Sequence, residues 1–168
     1  MKYLILTMFG LSSYFSSFAQ EKPVENTTYY LIRHAEKDRS NTLDKNPHLT
    51  NIGKTRAIKW SEVLQHISFD AVYSTNYYRT KETGWPTAEK NSLDIIIYNE
   101  NNINILKFLE ETQGKTVLVV GHSDTIPRFV NTILNKDTYQ DIEDSNNGNL
   151  YIITVLDGKK LDQVLTIN

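Results

Sequence analysis

Residues 116–120 read TVLVV, and this run restricts the fold more than any other part of the sequence. Every position is apolar or β-branched, so the strand that it predicts must be covered on both of its faces. Strands of this kind lie in the middle of parallel sheets that carry helices on both sides. Gly121 and His122 follow directly, so the predicted central strand ends beside an ionisable side chain.

The rest of the chain alternates predicted strands with predicted helices. Strands are predicted over 28–33, 69–73, 93–98, 116–120, 149–156 and 160–167, and helices over 51–67, 76–84, 102–112 and 123–135. Pro86 is expected to interrupt the second helix, because proline has no backbone N–H to donate. Asp157 and Gly158 are expected to form the turn between the last two strands. This order predicts an α/β fold of three layers, in which a mostly parallel central sheet has helices on both faces and an antiparallel pair of strands at one edge.

Composition excludes several classes of function. The chain has 168 residues, no cysteine and a net charge of −2. Without cysteine it has no thiolate nucleophile, no cysteine-ligated zinc and no disulfide. Because there is no long basic run, we expect no nucleic-acid partner. The acidic, polar stretch 141–147 offers no anchor for a protein partner, so an obligate one is not expected either.

The N-terminal segment 1–20, MKYLILTMFGLSSYFSSFAQ, differs from the rest of the sequence. It has a lysine, then an apolar stretch, then small residues that include Ser17 and Ala19, which is the layout of a secretory signal peptide. The apolar stretch is shorter than the ~20 residues that span a bilayer. We therefore predict an exported protein, periplasmic or secreted, with residues 21–168 as one domain that is not attached to a membrane after cleavage.

Ionisable side chains follow several predicted strands. Arg33 and His34 follow the first strand, Arg79 comes shortly after the second, and His122 follows the central strand. Ligands of open α/β sheets bind beyond the carboxyl ends of the strands, so these four side chains are expected to meet at one edge. Two guanidiniums close together need an anion between them, and their planar N–H groups match phosphate oxygens. A neutral imidazole can attack phosphorus, and the positive charge present makes a metal unnecessary.

Four segments resemble the motifs of the histidine phosphatase superfamily, the phosphoglycerate mutase-like fold. They are RHAE at 33–36, LT followed by Gly53 and Arg56-Ala57 in 49–57, the segment 74–83 (STNYYRTKET), and VVGHS at 119–123. Their order and spacing agree with the family, and the resemblance extends over about residues 28–155. It implies a phosphoglycerate mutase-like fold, a small phosphorylated substrate, and neither a metal nor another cofactor.

The resemblance also implies roles for individual residues. His34 would be the nucleophile that becomes phosphohistidine, Arg33 and Arg79 would hold the phosphoryl oxygens, and His122 would complete the phosphate pocket. In the loop after the first motif, Lys37 and Asn41 are expected to contact the phosphate or the substrate. Arg33, Arg79, Lys37 and Asn41 are thus the predicted substrate-binding residues.

The proton donor to the leaving oxygen is less well defined by the sequence. Ester cleavage usually requires a carboxylic acid at this step. Glu100, just after the third strand, is the best positional match, and Asp124 and Glu36 are alternatives. The resulting hypothesis is a metal-independent phosphatase that hydrolyses a phosphomonoester or phosphoanhydride through a phosphohistidine on His34. The alternative is a module of the same fold that binds phosphate or a sugar phosphate without turnover.

Overall fold

The computed structural model describes residues 26–168. The predicted signal peptide and its boundary with the domain lie outside these described residues. Within them the chain forms six strands and four helices. These are β1 (Asn26–Arg33), α1 (Asn51–Val63), β2 (Ala71–Thr75), α2 (Tyr78–Lys90), β3 (Ile95–Tyr98), α3 (Ile105–Glu111), β4 (Thr116–Gly121), α4 (Thr125–Leu134), β5 (Asn149–Leu156) and β6 (Lys159–Thr166).

All six strands form one sheet in the order β3-β2-β4-β1-β5-β6. Strands β3, β2, β4 and β1 are parallel to one another. Strand β5 is antiparallel to β1, and β6 is antiparallel to β5. The TVLVV run is β4, between β2 and β1, as its composition predicts. Asp157 and Gly158 make the turn from β5 to β6, and both have positive φ, 49° and 73°. The mostly parallel sheet with an antiparallel edge pair is confirmed.

Helices cover both faces of the sheet, which confirms the three-layer arrangement. Leu118 and Val120 of β4 face one layer, which includes the buried Trp60 of α1 and Ala88 of α2. The alternate residues of β4 face the other layer, in which Phe108 of α3 and Phe129 of α4 pack edge to face. Of the helices within residues 26–168, none is long and apolar enough to cross a bilayer.

The prediction that Pro86 interrupts the second helix is wrong. Helix α2 continues through Pro86 to Lys90. The proline leaves the carbonyl of Glu82 without its usual helical donor. Thr87 and Ala88, which follow it, are fully or almost fully buried, and the burial of Ala88 in the core holds the last turn of α2 in place. Tertiary packing therefore outweighs the local preference of proline.

The start of α1 is fixed against the segment that follows β1. The hydroxyl of Thr50 accepts a hydrogen bond from the N–H of Gly53 (3.0 Å), which caps the helix. The N–H of Thr50 donates to the carbonyl oxygen of Glu36 (2.8 Å). A β-carbon on Gly53 would lie 2.3 Å from that same carbonyl oxygen. Only glycine allows α1 to approach this closely, two residues after His34.

We predict that Gly53→Ala destabilises the protein. Alanine favours a helix by up to about 1 kcal/mol over glycine, but the clash with the Glu36 backbone must be relieved by moving the helix or the loop. We expect a net loss of about 1–3 kcal/mol in the free energy of unfolding, measured by urea titration. Lys54→Ala, at the exposed next position of α1, is the control. A Gly53→Ala protein as stable as this control would contradict the packing described.

Candidate active site

Strand β1 ends at a buried arginine whose side chain is held by a loop. Arg33 is 3% exposed. Its Nη1 donates to the carbonyl oxygens of Glu143 (2.9 Å), Asp144 (3.1 Å) and Asn146 (3.0 Å), and its Nη2 donates to the carboxylate of Asp144 (2.8 Å). The Nε of Arg33 is buried and has no partner within the described residues. The loop before β5 thus fixes this guanidinium and leaves one buried N–H free.

His34, the next residue, is 4% exposed and has a defined tautomer. Its Nδ1 lies 2.7 Å from the carbonyl oxygen of Ala35. Because a carbonyl can only accept, Nδ1 carries the proton and Nε2 keeps its lone pair. Burial, with smaller contributions from the charges of His122 and Arg79, lowers the pKa of His34 to about 3. The imidazole is therefore neutral at physiological pH, as a nucleophile must be.

The backbone at His34 is held from two sides. Its N–H donates to the carbonyl oxygen of Gly121 (2.9 Å), which extends the pairing of β1 with β4. Its carbonyl oxygen accepts from the side-chain amide of Asn147 (2.8 Å), a buried residue of the loop before β5. The N–H of Ala35 donates to the hydroxyl of Thr83 in α2 (2.9 Å). His34 thus lies on a segment that is fixed by hydrogen bonds to β4, to the loop before β5 and to α2.

His122 follows β4 and faces His34, with 5.4 Å between the ring centroids. Its Nε2 lies 3.0 Å from the hydroxyl of Thr75 at the end of β2. Burial lowers the pKa of His122 to about 4, and the charge of Arg79 acts in the same direction. Two neutral imidazoles therefore lie side by side at the carboxyl edge of the sheet.

Arg79 enters the same site from the first turn of α2. It is 9% exposed, and its Nε and Nη1 are buried without a hydrogen-bond partner in the described part of the chain. The ring of Tyr77 lies against it, 4.2 Å from the guanidinium carbon, and is 5.1 Å from the ring of His122. Unpaired buried N–H groups are costly, so three of them on Arg33 and Arg79 indicate that this site is built to hold an anion.

The structure places the two predicted loop residues differently. Lys37 lines a cavity of about 620 Å³ together with His34. Burial and the neighbouring arginines lower the pKa of Lys37. Asn41 does not line this cavity. It is exposed, and its side-chain oxygen accepts from the N–H of Leu43 (3.0 Å) in a local turn. A contact between Asn41 and the substrate therefore stays a prediction that this arrangement does not support.

The three candidate proton donors have different surroundings. Glu36 accepts from Nε and Nη2 of Arg56 (both 2.8 Å), an ion pair that suits a structural role. Asp124 is exposed and occupies the N-cap position of α4, but its side chain forms no capping hydrogen bond. Glu100 follows β3. Burial lowers the pKa of Arg79, and the negative charge of Glu100 acts in the opposite direction. Of the three, Glu100 and Asp124 have carboxyls that are free of an ion pair within residues 26–168.

Several residues of the site carry no role in the sequence-based analysis. Thr75 and Thr83 fall inside the segment 74–83, so the motif contains them without indicating what they do. Tyr77 lies in the same segment. Asn147 and the carbonyl groups of 143–146 had no signal, because a backbone acceptor can be supplied by any residue type.

Among residues 26–168, no group of three or more His, Asp or Glu side chains is arranged to hold a metal ion.

Comparison with known proteins relates this site to a family. The family model described as the histidine phosphatase superfamily (branch 1) matches residues 29–100, which contain Arg33, His34 and Arg79. No curated protein matches the sequence at a significant level.

Solved structures share the fold over most of the chain. A mycobacterial glucosyl-3-phosphoglycerate phosphatase has a TM-score of 0.69 at 12% identity, with 85% of this chain and 100% of that chain covered. The protein histidine phosphatase SixA, solved with tungstate, has a TM-score of 0.68 at 14% identity, covering 83% and 96%. A phosphoserine phosphatase from Entamoeba histolytica, solved with phosphoserine, has a TM-score of 0.62 at 17% identity, covering 82% and 95%. At these identities the likeness establishes the fold.

The fold and the site together define an α/β protein with paired histidines and paired arginines at the carboxyl edge of a parallel sheet. The match of residues 29–100 to the histidine phosphatase superfamily model and the fold shared with solved phosphatases confirm the resemblance seen in the sequence.

The pKa values of the two histidines predict a fold that is sensitive to acid. The folded-state values of His34 and His122, about 3 and about 4, lie below the ordinary 6.5. Between these values the unfolded chain binds more protons, so the stability that these groups contribute is complete above pH 6.5 and is lost as the pH falls. We expect the free energy of unfolding, measured by urea titration, to decrease from pH 6.5 to 4.

The double variant His34→Asn/His122→Asn should show a smaller decrease over this range, whereas the exposed control His66→Asn should follow the wild type. Equal slopes for the double variant and the wild type would contradict the depressed pKa values.

The charge of Asp144 should weaken anion binding at Arg33. Its exposed carboxylate is shared by Arg33 and Arg39, and their hydrogen bonds lower its pKa to about 2, so it is ionised at neutral pH. Asp144→Asn keeps an acceptor oxygen but removes the charge, while three backbone carbonyls still hold Nη1 of Arg33. We expect inorganic phosphate to bind about two- to tenfold more tightly at low salt, measured by calorimetry. Asp141→Asn, another exposed acid of the segment, is the control, and weaker binding by Asp144→Asn would show that orientation of Arg33 dominates.

Proposed function

We propose that this protein is a phosphatase that hydrolyses a small phosphomonoester or phosphoanhydride through a phosphohistidine on His34. The observation that supports it most is the combination of a neutral, oriented imidazole with unpartnered guanidinium N–H groups. Nε2 of His34 has a free lone pair. Three guanidinium N–H groups are buried without a hydrogen-bond partner among residues 26–168: Nε of Arg33, and Nε and Nη1 of Arg79. A tetrahedral phosphoryl group accepts from the arginines while its phosphorus faces the nucleophile.

The first step forms one bond and breaks another. The lone pair on Nε2 of His34 attacks phosphorus, the bond from phosphorus to the leaving oxygen breaks, and that oxygen takes a proton from Glu100. In the proposal Glu100 is preferred over Asp124 for its position just after β3, although the charges of both act on the site, that of Glu100 on Arg79 and that of Asp124 on His122. Glu36 is less suited, because its side chain is already engaged in an ion pair with Arg56.

The second step returns the enzyme to its starting state. Water attacks the phosphorus of the phosphohistidine, the P–N bond breaks and its electron pair returns to Nε2 of His34. The water proton passes to the carboxylate of Glu100, and inorganic phosphate leaves. Arg33, Arg79 and His122 stabilise the charge on the oxygens in both steps, in a buried site where such interactions are strong.

The proposal includes the place of action. The layout of residues 1–20 supports export to the periplasm or the exterior, so the substrate would be a small phosphorylated compound available there. No nucleic acid or obligate protein partner is part of the proposal.

Trapping of the intermediate tests this function directly. Protein incubated with p-nitrophenyl phosphate in EDTA and quenched during turnover should carry phosphate that is lost in acid and retained in alkali, as expected for a P–N bond. His34→Ala should retain no phosphate, and its kcat/KM should fall on the order of a thousandfold or more. His66→Ala, an exposed histidine outside the site, is the control and should match the wild type.

Two results would contradict the proposal. Turnover that persists in His34→Ala would exclude this nucleophile. Binding of inorganic phosphate without turnover between pH 4 and 8 would favour the alternative, a module that binds phosphate or a sugar phosphate.

A further inference from the structure

A second cavity lies between the segment after β3 and helix α4. We call it the β3–α4 cavity; it has a volume of about 400 Å³, and Glu100, Ile103, Ile105, Thr125, Arg128 and Phe129 are among its lining residues. Small-molecule sites usually have volumes of roughly 300–1,000 Å³, so this cavity is large enough for a group of about one ring. The mechanism described above uses only Glu100 of this set.

Two of its residues connect the β3–α4 cavity to the phosphoryl site. The hydroxyl of Thr125 accepts a hydrogen bond from the N–H of His122 (2.9 Å). The charge of Glu100 acts on Arg79. The wall of this cavity therefore includes a direct hydrogen-bond partner of His122 and an acidic residue whose charge acts on Arg79.

The cavity on the other side of the site is less suited to a leaving group. It is lined by His34 itself, with Lys37 and Arg39. In an in-line displacement the attacking and leaving atoms lie on opposite sides of phosphorus. The space beside the nucleophile is then on the wrong side, whereas His34 does not line the β3–α4 cavity.

The lining of the β3–α4 cavity indicates the chemistry of its occupant. Ile103, Ile105 and Phe129 give it an apolar wall, and such walls favour flat apolar groups. Arg128 projects from α4 and is exposed, and within residues 26–168 it forms no ion pair. The rest of the lining is polar, and a guanidinium at the rim of a cavity with one apolar wall suits an anionic substituent such as a carboxylate.

We propose that the β3–α4 cavity binds the leaving group of the substrate, and that this group is an alcohol with an apolar, ring-sized body and an anionic substituent that pairs with Arg128. The proposal rests on the phosphatase function proposed above. It assigns selectivity to residues outside the four motifs, while the motifs carry the phosphoryl chemistry apart from the proton donor Glu100.

Binding of phosphonates tests this assignment without turnover. Methylphosphonate, benzylphosphonate and 4-carboxybenzylphosphonate share the phosphoryl mimic and differ only in the part that would enter the cavity. By calorimetry we expect benzylphosphonate to bind about tenfold more tightly than methylphosphonate, from burial of its ring. The carboxylate should add about threefold at low salt.

Matched variants separate the two parts of the cavity. Arg128→Gln should remove the gain from the carboxylate and keep the gain from the ring. Ile103→Ser should reduce the gain from the ring and keep that from the carboxylate. Lys54→Gln removes a charge on exposed α1 and should change neither gain, and Arg39→Gln tests the cavity beside His34.

Each contrary result overturns the proposal. Equal affinity for methyl- and benzylphosphonate would exclude an apolar subsite, and a carboxylate gain that survives Arg128→Gln but is lost in Arg39→Gln would place the leaving group beside His34. Absence of binding by all three compounds would also overturn it. Failure of the phosphatase function is distinguished by the phosphohistidine trap, because these affinities do not depend on turnover.

Discussion

The buried guanidinium of Arg33 is the interaction on which the rest of the site depends. It lies at the end of β1, where burial of a charge is costly unless polar groups surround it. Three backbone carbonyls and one carboxylate of residues 143–146 surround it, and Asn147 of the same loop holds the carbonyl of His34. Because β5 pairs with β1, this loop must lie beside the end of β1. Sheet topology thereby fixes both the first arginine and the nucleophile.

The same concentration of positive charge keeps both imidazoles neutral. Burial is the largest cause of their low pKa values, and Arg79 lowers both further. An anion bound between the arginines would reverse part of this effect, because a negative charge favours the protonated imidazole. In the proposed mechanism the Nε2 lone pair of His34 is used in the P–N bond, so this change would not affect His34. His122 forms no such bond in the proposal, so a bound anion would favour its cationic, hydrogen-bond-donating form.

The sequence predicts those parts of the molecule that depend on side-chain chemistry. Residue type and spacing predict the apolar run of β4 and the turn at Asp157. They also predict that Arg33, His34 and His122 lie at strand ends, with Arg79 shortly after β2. The course of α2 through Pro86 could not be predicted, because it depends on packing of the following turn against the sheet. The backbone carbonyl groups that surround Arg33 could not be predicted from the sequence either, because every residue has a carbonyl oxygen. The expected contact of Asn41 rested on its loop, and its side chain is engaged in that loop's own turn.

In the proposed function, the groups that bind and attack the phosphoryl group lie at the strand ends, and the residues that would select the leaving group lie after β3 and on α4. Strand ends are rigid and position the groups that act on phosphorus, so their residue types can vary little without loss of geometry. The segment after β3 and the exposed face of α4 contact neither Arg33 nor His34 through a hydrogen bond, so they can change without moving the nucleophile. The unpaired Arg128 lies on that variable side, whereas the arginines on the other side of the site are already paired through Asp144. In the proposal, Arg128, which forms no ion pair within residues 26–168, is therefore the residue by which this chain distinguishes one phosphate ester from another.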